Sequence, residues 1–445
     1  MLGASIEQIT AARLPAFLRT PAGSATASRG VLAVAAACGS AELVDPAMRY
    51  LKEWYGQRAA QGRALIEMLA WVDDPRAVQA VLSVAARFRT KGLQEEAARQ
   101  ATALAERHGW TVSELSDRTI PTGGLDDDGV LELSYGDRTF TAVLLPDLSL
   151  ELHNPEGGKI SALPAARQSD DEAAVKESKK ALTAARKQLK SLAQQQTERL
   201  YEALCTGRSW SGDDWQRYLN GHPIVRHLTQ RLVWVATGPD DTVTVFRPLD
   251  DGTLTDADDN EVTLPTDARV MIAHDSVLDP DPDTAAQWQT HLEDYEIMPL
   301  FQQLGKGVFA LPAEHRDERE VLDVQGHLVQ AFALRGRATK LGYVRGAAED
   351  AGWFYTYEKR YPTLDLAAVV TFTGNPLPEV DRTVALESLT FERRESTEGA
   401  PHRAARLTLG EVPAVLLSEA YQDLRLMASD GPGFHPDWQT IGETL

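Results

Sequence analysis

Residues 169–205 contain neither proline nor glycine, and Leu182, Leu189, Leu192, Gln196 and Leu200 recur there at helical spacing. The stretch predicts one long helix with a single apolar stripe. Such a helix is stable only where other elements cover that stripe, so the regions before and after it must supply the cover.

Before it, the chain changes period once. From Arg29 to about His108, Ala-rich windows carry apolar residues three and four apart, with helices expected over Asp45–Tyr55, Gln61–Trp71 and Pro75–Phe88. Asp74 is a suitable N-cap ahead of Pro75, and Gly109 is placed to close the helix that contains Glu95–Arg107. Successive amphipathic helices of this kind suggest a HEAT-like repeat. After Trp110 the period becomes two. Val130, Leu131 and Leu133 begin a strand, Phe140–Leu145 return, and Leu148–His153 with the Pro155–Lys159 turn continue a β-meander.

After the long helix, the spacing of Trp210, Trp215, Tyr218, His222, Pro223, Ile224, Arg226, Leu232 and Trp234 predicts helical core. A hairpin follows, with Val243–Phe246 turning at Asp250–Gly252 and returning near Val262–Leu264. Further on, Leu366, Ala368, Val370 and Phe372 share one face, and Ala385, Glu387, Leu389 and Phe391 alternate with Val384 and Leu386. Gly374, Asn375 and Pro376 are expected to form the turn between these two strands. The expected architecture is a multi-domain α+β protein. It has a helical repeat over 1–110, a β-meander over 111–168, the long helix and a helical segment over 169–236, a β-hairpin region over 237–275, and a C-terminal antiparallel sheet with helices over 276–445.

Composition narrows the function classes. The formal charge is −20, whereas residues 1–110 carry 13 Lys and Arg against 10 Asp and Glu, so the acidity lies in the later regions. A field of that sign disfavours nucleic acid and anionic membranes at long range. The one concentrated basic patch, Lys176, Lys179, Lys180, Arg186, Lys187 and Lys190, fits the solvated face of the long helix. Cys38 and Cys205 are the only cysteines, which excludes a disulfide scaffold. No apolar run approaches the roughly 18 residues of a membrane span, and the N-terminus lacks the order of a signal peptide, so a cytoplasmic location without membrane contact is expected.

No phosphate loop, dinucleotide fingerprint, nucleophile elbow or zinc-protease motif is present. Asp126–Asp128 read as a turn, and Asp256–Asp267 lacks the glycine and final glutamate of a calcium loop. Ser418 reads as a cap at a helix start. His222 and His227 are five apart, which misses one helical face, and His274 has no evident partner. No metal or cofactor is expected.

One constellation stands out. Arg335, Arg337, Lys340 and Arg345 are interleaved with Tyr343, followed by Glu349, Asp350 and an aromatic strand. Strict alternation would place Trp353, Tyr355, Tyr357, Lys359 and Tyr361 on one face, opposite Phe354, Thr356, Glu358 and Arg360. Guanidiniums beside aromatic rings suit a planar anionic ligand, and the acids are available as bases or as ion-pair partners.

The run Arg107–Trp110 through Thr119–Pro121, then Trp215, His222, Pro223 and Trp234, resembles the DUF4132 family. So do Lys340–Tyr343, Glu349, Asp350, Gly352 and Trp353, and finally Val412, Pro413, Leu416–Glu419 and Asp423. The resemblance spans most of the chain after residue 75. The family's best-known members are called molybdate metabolism regulator-like proteins, and the resemblance supplies no catalytic residues. The expected function is therefore a binding or regulatory protein that acts on a protein partner or a small anionic ligand. The alternative is an enzyme acting on an anionic or peptide substrate at Arg335–Tyr361.

Overall fold

A computed structural model describes residues 29–54, 56–88, 90–278, 282–349, 352–394 and 404–443, in two compact units divided after Pro121. Helix makes up 44% and strand 20%, and the strand pairs are antiparallel, so the class is α+β.

The first unit contains α1 (Arg29–Cys38), α2 (Val44–Trp54), α3 (Ala59–Leu69), α4 (Pro75–Arg87), α5 (Lys91–His108) and α6 (Val112–Arg118). Punctuation in the sequence sets their ends. The Asp74 carboxylate accepts from the Arg76 N–H with Pro75 at the first helical position, and Gly109 takes the left-handed conformation (φ +68°) that ends α5. Leu51, Ile66, Leu69, Val81, Val84 and Ala97 form the core. The unit includes α6, whose Leu115 packs with Val78, Leu104 and Ala105.

In the second unit, β1 (Val130–Ser134), β2 (Thr139–Leu144), β3 (Leu150–His153) and β4 (Lys159–Ile160) form the expected meander. The long helix, α7 (Glu172–Thr206), starts at an Asp171 cap, and all five residues of its expected stripe are buried. Its first turns join the meander, where the Ser178 hydroxyl donates to the Ser134 carbonyl at 2.7 Å. Its last turns reach the C-terminal core, which includes Cys205 and is flanked by Tyr201.

A five-stranded sheet follows in the order β5 (Ser209–Ser211), β9 (Arg269–Ile272), β6 (Trp234–Thr237), β7 (Val243–Pro248), β8 (Leu254–Thr255). Trp210, Trp215, Trp234 and Phe246 meet edge-on in its core at centroid distances of 5.3–5.8 Å. Trp210 and Trp234 therefore reach the core from strands rather than from the expected helix. The hairpin also returns earlier than expected, at Leu254–Thr255. The Asp256 carboxylate accepts from the Asp258 and Asn260 N–H groups and builds a second tight turn after two residues of strand.

The largest sheet runs β12 (Val344–Arg345), β13 (Trp353–Tyr361), β14 (Leu366–Pro376), β15 (Thr383–Arg394), β11 (His327–Gln330), β17 (Gly433–Phe434). The short strands β10 (Glu320–Val321) and β16 (Ala404–Arg406) also pair with β15. Gly374–Pro376 belong to β14, where Asn375 and Pro376 pair with β13, so the turn to β15 lies beyond them, not at them as expected. Two helices, α9 (Ala331–Lys340) and α10 (Ala414–Ala428), contribute Leu334, Leu416, Ala420, Leu424 and Met427 to this core. Between the two larger sheets in sequence lies α8 (Pro282–Asp294), which contributes Trp288 and Leu292 to a core under β6.

Candidate functional site

Strand β13 does not alternate strictly. A register shift between Phe354 and Thr356 buries Phe354 and then Tyr357, Lys359 and Tyr361, and leaves Tyr355 exposed. The cause is local. Gly374 opposite has φ +92°, and a Cβ there would sit 2.6 Å from the Tyr355 ring, which lies over the glycine.

The residues singled out between 335 and 361 fall into three places. Arg335 and Arg345 converge on one carboxylate, Glu379, with their Nη1 atoms at 3.4 and 3.2 Å from its two oxygens. Both guanidiniums are about half exposed, and the carboxylate is mostly buried. Tyr355 is stacked on half-buried Trp353 at 6.4 Å. Arg337 turns instead toward the end of α10, donating to the Met427 carbonyl at 2.8 Å and pairing with Asp430. Lys340 and Glu349 are exposed, and Asp350 lies outside the described residues. Tyr343 is buried in the core.

The third place is a buried charge network that the sequence reading missed. The Lys359 ammonium donates to Asp423 Oδ2 at 2.8 Å and to the Tyr201 hydroxyl at 3.1 Å. Tyr201 in turn donates to Glu419 Oε2 at 2.8 Å, and the Lys306 ammonium reaches the same oxygen at 2.6 Å. Two cations thus face two anions, joined by one phenol. His274 Nδ1 accepts from the Ser276 N–H, so in neutral form its proton sits on Nε2, 3.6 Å from Glu419 Oε1. At that length the contact is electrostatic rather than a hydrogen bond, and Oε1 is left without one. His274 therefore has the partner that its sequence context did not show.

The loop that carries Lys306 is fastened from below. The Asp275 carboxylate accepts from the N–H groups of Gly305, Lys306 and Gly307 at 2.9–3.1 Å, and Gln303 bonds Val233 and Ala273. Ser418 lies inside α10 rather than at its start, and its hydroxyl accepts from the Phe309 N–H at 3.0 Å. The hydroxyl thus holds the same loop and does not cap the helix.

Environment separates the two carboxyls. Burial works to raise Glu419, but the His274, Lys306 and Tyr201 contacts outweigh it and hold this carboxyl at about 2. Burial dominates at Asp423 and raises it despite Lys359. The Tyr201, Tyr343 and Tyr361 hydroxyls lie well above their ordinary range because they are buried near these acids, and burial pushes the Cys205 thiol up to about 12. The signal available in sequence was spacing. Tyr201 and Cys205, and Glu419 and Asp423, are four apart on the buried faces of α7 and α10.

A different feature marks the first unit. Leu32, Ala33, Ala36 and Ala37 of α1, Ala64, Glu67 and Met68 of α3, and Trp71 line an apolar groove of about 350 Å³. Val31, Val34 and Trp71 are more than 60% exposed or close to it (68%, 62% and 60%), so α1 carries apolar residues on its outward side too. The Trp71 ring is held by the Arg107 guanidinium at 3.9 Å. Half-buried Glu67 makes no hydrogen bond or ion pair among the described residues, and Arg99, which feels its charge, is committed to Glu96.

Residues 157–343 match the family model described as Domain of unknown function (DUF4132). The chain is also similar to the uncharacterized protein YehI of Escherichia coli (strain K12), at 27% identity over 308 residues. That alignment covers 68% of this chain and 25% of YehI, so the chain spans about a quarter of the length of the curated relative it matches. Neither description mentions molybdate or regulation. No solved structure matches. No described helix is long and apolar enough to cross a membrane.

Proposed function

We propose that this chain is a protein-binding module whose helical unit receives an amphipathic helix of a partner protein, with a Lys or Arg of that helix meeting Glu67. The carrying observation is the unpaired, half-buried Glu67 carboxylate in an otherwise apolar groove. An incoming cation gives this carboxylate a partner while the apolar stripe covers Leu32, Met68 and Trp71. The small alanines of α1 admit close approach of a second helix. On this reading the six helices stack in HEAT fashion, and a regulatory role in the cytoplasm follows from partner capture rather than from chemistry.

Selection of helical peptides from a random display library tests this reading. The expected winners share an i, i+4 apolar stripe with a flanking Lys or Arg, and they lose binding to the groove-filling variant Ala33→Trp. Winners without a cation, or winners indifferent to Ala33→Trp, would contradict it.

A second reading, a small anionic ligand or substrate at Arg335–Tyr361, is supported by one observation. Two guanidiniums share the single Glu379 carboxylate, which leaves local positive charge beside the Phe332 and Phe354 rings, at 4.4 and 5.3 Å from Arg335 and Arg345. Retention of a carboxylate or phosphate probe by the wild type but not by the Arg335→Ala/Arg345→Ala double variant would favour it.

A further inference from the structure

Arg247 on β7 is 3% exposed, yet among the described residues no carboxylate stands within ion-pair distance of it. Its Nε–H donates to His291 Nε2 at 3.2 Å, and its Nη1 reaches the Gln230 and Pro248 carbonyls at 3.4 and 3.3 Å. Its Nη2 is buried and has no acceptor among the described residues. A guanidinium held only by neutral acceptors, with one donor unused, is among the costlier groups to bury.

The surroundings, under the β7–β8 turn, are polar. Gln230 donates to the Leu249 carbonyl at 3.1 Å and Asn220 to that of Gly252 at 3.5 Å, while the Asn220 Oδ1 and both His227 ring nitrogens are buried without hydrogen-bond partners among the described residues. Because Arg247 donates to His291 Nε2, neutral His291 carries its proton on Nδ1, which lies 3.6 Å from Asp259. Half-exposed Tyr295 lies over the guanidinium, its ring centroid at 5.2 Å, and its hydroxyl donates to Asp259 at 2.7 Å. The nearby acids are Asp250 and Asp259. Asp259 is largely solvent-exposed, and its bonding is spent on Tyr295 and His291.

We propose that Arg247 is an anion-binding residue whose free Nη2 takes one oxygen of a small carboxylate or phosphate group, admitted where Tyr295 covers the guanidinium. The inference does not depend on the helical groove. The ligand's charge would neutralise the arginine, and the Tyr295 ring over the guanidinium stands in its path.

Thermal melting of the full chain tests this, with sodium formate, acetate or phosphate compared against sodium chloride at equal ionic strength. At least one oxyanion should raise the wild-type midpoint over the chloride control, with an increment that follows the logarithm of its concentration above the Kd. A response to formate or acetate alone assigns a carboxylate ligand, and a response to phosphate alone assigns a phosphate. Arg247→Met should abolish the response and, in chloride, melt at or above the wild type, because the unpaired buried charge is gone. Should that variant fail to fold, Arg247→Lys, which keeps the charge and loses the fork, should weaken the response. Tyr295→Ala should strengthen it, and the groove variant Ala33→Trp should keep it. No specific response in the wild type, or a response that survives Arg247→Met or is unaltered by Arg247→Lys, overturns the proposal.

Discussion

Lys359 on β13 and Asp423 on α10 meet at 2.8 Å with side chains only 10% and 6% exposed, so sheet and helix are joined by a buried ion pair rather than by apolar packing alone. Tyr201 extends that pair to Glu419 and Lys306, and so ties α7 and the Lys306 loop to the same point.

Breaking one side of this pair should cost far more than removing both. Lys359→Met leaves Asp423 buried beside Glu419 without its cation and is expected to destabilise by about 3–5 kcal/mol. The double variant Lys359→Met/Asp423→Leu removes both charges and should recover most of that loss. Chemical denaturation of the singles and the double checks this, and additive losses would contradict the pairing.

Acid should find Glu419. Its carboxyl is held at about 2 against an ordinary 4.5, so its contribution is complete above pH 4.5 and is lost as the pH falls toward 2. The shift corresponds to roughly 3 kcal/mol. Asp423 has the opposite sign. Its raised carboxyl costs stability as it ionises, so protonating it in acid relieves part of the loss. Denaturation midpoints of the wild type and Glu419→Gln across this window should converge as the pH falls. A constant gap between them would show that Glu419 does not titrate as described.

Arg335 and Arg345 share Glu379, and this makes their deletions non-additive. Either Arg→Ala change leaves the other cation in place across a half-exposed contact and should cost under about 1 kcal/mol. The double variant strands the mostly buried Glu379 and should cost more than the sum of the singles. Trp215→Ala, which removes a fully buried ring, is the packing reference at about 3–5 kcal/mol. Equal and additive arginine losses in thermal melts would separate the two guanidiniums energetically.

The parts of the fold written in local patterns were legible. Asp74 began a helix and Gly109 ended one where expected, the α7 stripe was buried residue for residue, and the meander followed its turns. What failed depended on partners distant in sequence. The bulge at Tyr355 answers to Gly374 across the sheet, and Trp234 enters the core from a strand because β7 and β9 flank it. The charge network was hidden for the same reason. Lys359 and Tyr201 are 158 positions apart, and Tyr201 and Glu419 are 218 apart, so only the apolar faces around them hinted that these polar groups turn inward. Of the candidate strip, Arg335 and Arg345 do meet, but at Glu379, which the reading had not singled out.

The most direct test of the proposed function is a charge exchange at Glu67, read by calorimetric titration with a selected helical peptide. The wild-type chain should bind the Lys- or Arg-bearing peptide at one site, and Glu67→Lys should abolish that binding. A peptide carrying Glu at the same position should then bind Glu67→Lys and not the wild type. If Glu67→Lys binds the original peptide as tightly as the wild type does, the groove is not where the partner's cation docks, and the protein-binding account of the helical unit is wrong.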